Sequence, residues 1–214
     1  MPSVPSPQVV LGDLSQLIPT LYDAIEAATA YARDFFEKRE ESVDTFFTPG
    51  LVRYITKQCL KAAGQTAEEE DVFDVGVMAN NGLLLTYGTY RIRILKADGG
   101  DLPVAGPSKA RQAFYHQLSL GLPGEEQWEK VNLVVLWDVD REYLFKELLL
   151  ACPKGGGTSK SSIEKHWICP IPHPIADVSA TPIRTPDTAE IVTPADLPIT
   201  FLRDEETESE GKGA

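Results

Sequence analysis

Leu14, Leu17, Ile18, Leu21, Ile25, Ala28, Ala32, Phe35 and Phe36 recur at three- and four-residue spacing. That places them in one stripe of an amphipathic helix over about 16–40. Pro19 falls in its first turn, where a missing N–H leaves no intrahelical bond unmade. A second helix is punctuated at both ends, with Thr48 as cap, Pro49 at the first helical position and Gly64 at the turn-off. Leu51, Val52, Ile55 and Cys59 share one of its faces, and Arg53, Lys57 and Lys61 line another.

The period then changes to two. Val72–Ala79 and Leu83–Lys96 flank Asn80-Asn81-Gly82, and Asn-Gly between apolar runs signals a hairpin. Tyr90, Ile92 and Ile94 alternate with Arg91 and Arg93, giving one apolar and one basic face, with a bulge expected at Gly88. A helix follows from Ser108 to about Leu120, stopped by Gly121 and Pro123. Val131–Val139 and Glu142–Cys152 form another hairpin turning at Asp140-Arg141, and Ile163–Cys169 is a last strand. The fold class read from this order is α+β: N-terminal helices followed by a largely antiparallel sheet with one inserted helix. Residues 13–175 form the domain, between a flexible 1–12 and a proline-rich, then acidic, flexible 176–214. Seven of the 16 prolines lie between Pro170 and Pro198, and such a segment buries too little apolar surface to offset its ordering entropy.

Charge refines the picture. The chain has 20 Lys+Arg against 32 Asp+Glu, a net of -12, which excludes a generally basic nucleic-acid coat but not a local basic face. Residues 75–124 carry 5 basic and 2 acidic residues, a net of +3 inside an acidic protein. No apolar run approaches the roughly 18–20 residues that span a bilayer, and the opening Met-Pro-Ser-Val-Pro-Ser-Pro does not read as a signal peptide. Three scattered cysteines, Cys59, Cys152 and Cys169, suit a reduced, cytoplasmic setting better than a disulfide framework.

Four chemistries are testable against the residues. The order helix, hairpin, strand, helix, strand resembles the core of the PD-(D/E)xK nucleases, with Asp74 in the first strand and Lys96 closing the second. The second carboxylate that such a site needs two residues before its lysine is Ile94 here, which leaves a magnesium ion short of oxygen ligands. Lys154-Gly155-Gly156-Gly157-Thr158-Ser159-Lys160-Ser161 resembles a phosphate-binding loop, but Ser159 stands where glycine is required and no helix start follows. His166, Cys169 and His173, with Cys152 upstream, are residue types that suit zinc in a spacing that matches no zinc module. Asp138 and Asp140 lie on one side of a strand, as cation ligands or as ordinary turn residues. No nucleophile motif is present. No catalytic residue, metal or cofactor is assigned, and whether the protein is an enzyme stays open.

The coherent feature is basic. Arg91, Arg93 and Lys96 lie in a stretch without acid from Val75 to Ala97, and Lys109 and Arg111 follow on the next helix. If strand and helix abut, these five side chains make a cationic docking surface, with Arg53, Lys57 and Lys61 as an extension. The acidic segment 204–210 is expected to fold back on 91–111 and compete for it. The runs Tyr90–Lys96 and Ser108–Gln117, the hairpin ending Leu150-Ala151-Cys152-Pro153, and His166-Trp167 resemble a loose family of uncharacterised bacterial and phage proteins. Members of that family often occur beside helix-turn-helix regulators and metallopeptidase-like partners. The resemblance spans about 75–172, transfers no site residue, and implies a role in a regulatory, phage-related, defence or toxin–antitoxin locus. The expected function is therefore a non-enzymatic regulatory protein that binds a protein or nucleic-acid partner and no membrane. An atypical PD-(D/E)xK-like nuclease using Asp74 and Lys96 is the alternative.

Overall fold

The computed structural model describes residues 4–66, 73–78, 82–117 and 130–174; the expected tail, 176–214, lies outside the described residues, as does the acidic run 68–71. Three helices come first, α1 (Pro7–Asp13), α2 (Leu17–Glu37) and α3 (Thr48–Thr66). A six-stranded sheet follows in the order β1-β2-β3-β4-β5-β6. Its strands are β1 (Asp74–Met78), β2 (Gly82–Tyr87), β3 (Tyr90–Lys96), β4 (Val131–Val139), β5 (Phe145–Gly155) and β6 (Glu164–Pro170). Helix α4 (Lys109–Tyr115) lies between β3 and β4, which are parallel; every other neighbouring pair is antiparallel. The chain is an α+β protein. A parallel pair needs a crossover, and the segment containing α4 supplies it.

Three local expectations change. Residues 7–12, within the segment expected to be flexible, belong to α1: Ser6 accepts a hydrogen bond from the Val9 amide, and Val10 is fully buried. The run 83–96 is two strands rather than one bulged strand. Gly88 and Thr89 make a two-residue turn between paired Tyr87 and Tyr90, with Gly88 at φ +51°, as a hairpin turn with glycine at its first central position requires. The β4–β5 turn is wider than Asp140-Arg141, because Asp140 Oδ1 accepts from the amides of both Glu142 and Leu144.

The sheet divides the interior in two. On one face, Leu83, Ile94, Val135, Leu150 and Cys169 occupy one cross-strand row and join the apolar stripes of α1, α2 and α3 in a core that includes Leu21, Ile25, Val52 and Trp137. On the other face, Leu84, Val134, Ala151 and Ile168 share the adjacent row and pack with Phe114 and Tyr115 of α4. Arg93 stands in the middle of that second row, paired with Leu84 on one side and Val134 on the other.

Helix α4 is held down by two devices. Gln117, at φ +58°, gives and takes hydrogen bonds with the Asn132 backbone (2.9 and 2.8 Å) and donates to the Pro153 carbonyl at 2.8 Å. Buried Asn132 returns a bond from Nδ2 to the Phe114 carbonyl. Gly156 lets the Tyr115 ring lie against the β5 end, since a Cβ there would come within 2.3 Å of Tyr115 Cδ2.

Candidate anion site under helix α4

Strand parity sorts the five expected basic residues. Arg91 and Arg93 are odd-numbered on β3 and face α4; Lys96 is even-numbered and faces the α1–α3 side with Ile92 and Ile94. Lys96 donates to the Tyr143 hydroxyl at 2.9 Å and lies over the Tyr143 and Trp137 rings. It therefore does not belong to the group expected from the charge pattern. Arg91 and Arg93 are only 5% and 6% exposed, so neither presents an outward docking surface. Lys109 is exposed at the start of α4 and Arg111 is half-buried one residue pair further on.

Three arginines on separate elements, Arg93 of β3, Arg111 of α4 and Arg53 of α3, act on one another through charge. The Arg93 guanidinium sits 5.4 Å from the centroid of the Phe114 ring. Arg111 donates from Nη1 to the Val104 carbonyl at 3.0 Å, and Arg53 from Nε to the Pro49 carbonyl at 3.1 Å. No carboxylate among the described residues makes an ion pair with any of the three. Nε and Nη1 of Arg93 and Nε of Arg111 are enclosed without a hydrogen-bond acceptor.

The electrostatics follow from that crowding. Burial, then the charges of Arg111 and Arg53, pull Arg93 down to about 10, partly opposed by Tyr115. Arg53 is lowered by burial and by Arg111. Tyr115, whose hydroxyl donates to the Pro103 carbonyl at 2.7 Å, is pushed up to about 12 by burial, against the pull of the Arg111 and Arg93 charges. Three like charges within reach of one another, one of them buried, raise the free energy of the ligand-free fold.

The remaining candidates are placed as follows. Asp74 shares a cross-strand row with Thr86 and Arg91, five positions along β3 from Lys96, roughly 17 Å, and on the opposite face. These two residues cannot share a metal ion. Lys154–Ser161 leaves β5 and enters a 3-10 turn at Lys160–Ser162; its glycines serve packing against Tyr115 and His116, and Lys160 pairs with Asp98 at 2.9 Å. His166 falls at the register shift between the Cys152–Trp167 and Pro153–Lys165 pairs, Cys152 is fully buried in the apolar core, and His173 stacks on Tyr22 at 4.6 Å. Burial raises the Cys152 thiol to about 11. Asp138 pairs with Lys146 at 3.0 Å and Asp140 caps its turn. Among the described residues no group of three His, Cys, Asp or Glu side chains could hold a metal ion, and no helix is long and apolar enough to cross a membrane.

From sequence, Arg53 is no more than an extension of the basic patch. Its i, i+4, i+8 spacing with Lys57 and Lys61 signals a helix face, and nothing local ties that face to β3. No family model, curated protein or solved structure matches this chain.

Proposed function

We propose that this chain is a non-enzymatic binding protein that engages the anionic groups of a protein or nucleic-acid partner on the α4 side of its sheet. The observation that carries this reading is the set Arg53, Arg93 and Arg111. Three separate elements contribute arginines whose charges act on one another, and no described carboxylate pairs with them. Internal arginines that served only the fold would be expected to have carboxylate partners, since an unpaired buried charge is costly. Exposed Lys109 extends positive charge outward from this region. The regulatory, phage-related or defence setting rests on the pattern resemblance alone.

The test uses the full chain as bait in extract of its native host, with bound material identified by mass spectrometry and by nuclease sensitivity. Capture that weakens with salt and is lost in the double variant Lys109→Glu, Arg111→Glu, at unchanged Tm, supports the reading. Capture unaffected by that variant overturns it. Magnesium-dependent cleavage of DNA or RNA by the purified chain would also overturn it, in favour of nuclease chemistry.

A further inference from the structure

We infer that the groove formed by the C-terminal end of α2, the loop 38–47 and the β4–β5 turn docks a cationic amphipathic segment of a partner protein. It shares no residue with the arginine set and does not depend on the binding reading above.

The first argument is apolar exposure. Phe46 is 94% exposed, and Phe47 and Leu144 are 48% and 41% exposed. The Phe47 ring lies 5.9 Å from that of Phe35 and 6.3 Å from that of Phe36, and buried Phe36 lines the groove beside Leu144. Asp44 Oδ1 accepts from the amides of Phe46 and Phe47 at 2.7 and 2.9 Å, so the backbone of this turn is fixed while the Phe46 ring stands in water. Folding alone gives no reason to hold a phenylalanine there, and contiguous exposed apolar groups mark interaction surfaces. The second argument is room. Two adjoining openings of about 670 and 500 Å³ share Phe36, Glu41 and Val43, and the smaller one reaches Leu144 and the β4–β5 turn. Each has space for a large side chain.

Charge selects the occupant. Glu37, Glu41, Asp44 and Glu142 line the openings against Arg33 alone, and Arg33 pairs with Asp34 at 4.0 Å. Among the described residues no lysine or arginine makes an ion pair with Glu37, Glu41 or Glu142. Arg39 is turned onto the Phe35 ring at 3.7 Å and donates to the Phe35 carbonyl. An apolar groove with such a rim repels phosphate, which sets aside nucleic acid and an anionic lipid surface. It also repels a second copy, because a two-fold contact would set each rim against the same acids. A protein segment with an apolar anchor flanked by Lys or Arg meets both features. The anchor enters beside Phe36 and Phe47, and its cations face Glu41 and Glu142.

The experiment is fluorescence anisotropy of the full chain with a labelled amphipathic peptide of Leu, Trp and Lys. Two further peptides are run beside it, one with Glu for every Lys and one with Ser for every Leu and Trp. Only the first should bind, with an affinity that falls as salt rises. Phe46→Ser should weaken it about tenfold or more, and the pair Glu41→Lys, Glu142→Lys about tenfold at low salt. All three positions are exposed, so Tm should not change. The control is Asp23→Lys, Glu26→Lys, the same charge change at exposed α2 positions roughly 16 Å or more along the helix from Glu37. That variant should keep full affinity; an equal loss in it would reduce the binding to net charge and overturn the groove. No binding of the first peptide, or binding unchanged in Phe46→Ser, overturns it too. A dimer that Phe46→Ser breaks apart, or capture by anionic lipid vesicles in place of the peptide, would overturn the protein segment in favour of a second copy or a lipid surface.

Discussion

The two faces of the sheet are built from the same strands in the same register, yet they obey different rules. On the α1–α3 face the row Leu83, Ile94, Val135, Leu150, Cys169 is apolar from end to end. One position along, on the α4 face, the row Leu84, Arg93, Val134, Ala151, Ile168 carries a buried cation at its centre. The next row on that face, through Arg91 and Asn132, is polar as well. The first face is what folding free energy alone selects, since buried apolar area stabilises in proportion to its extent. The second departs from that rule where it holds the arginines, since burying a guanidinium carries a desolvation cost that an apolar side chain does not.

The sharpest contrast is between neighbours on β3. Ile92, fully buried on the α1–α3 face, should lose about 2–5 kcal/mol on Ile92→Ala through lost burial and a residual cavity, measured by denaturant unfolding. Next in size is the seat of α4. Gly156→Ala drives a methyl into the buried Tyr115 ring and should cost about 1–3 kcal/mol; a neutral result would show that α4 rides loosely on the sheet. Arg93→Met, one residue from Ile92, should change sign and raise ligand-free stability by about 1 kcal/mol or more, because an unpaired buried charge is replaced by an apolar chain of similar length. Loss of stability in that variant would erase the difference between the faces.

The smallest effect is a pH dependence. Tyr115 titrates near 12 in the fold against an ordinary 10, so its contribution is whole below about pH 10 and is lost as pH rises through 12. Tyr115→Phe should therefore lose less Tm than the parent between pH 10 and 12, from a slightly lower starting point set by the missing bond to Pro103. Equal slopes in the two proteins would place Tyr115 in contact with water.

Local patterning was informative wherever one residue's fate depends on its immediate neighbours. The stripe from Leu17 to Phe36, the Thr48-Pro49 helix start and the Tyr90–Ile94 alternation each became the element their spacing implied. Segment 7–12 was missed because its helix depends on Val10 docking into a distant core and on Pro5 meeting Trp167, 162 residues away. Lys96 was misplaced by following charge instead of parity: two residues on from Ile94 it had to face with Ile94.

Sequence alone determined the α+β class, the strand faces and the excess of basic residues around β3 and α4, because period, turn chemistry and charge are local quantities. Only tertiary structure decided that Arg91 and Arg93 are covered, that Lys96 belongs to the other face, and that the charge of Arg53 acts on Arg93. Those outcomes depend on a crossover that lays α4 over the sheet and on the packing of α3 beside β1 and β2. Charge interactions between residues 18 to 58 positions apart leave no periodic trace in the chain, because each partner satisfies its own local pattern without reference to the other.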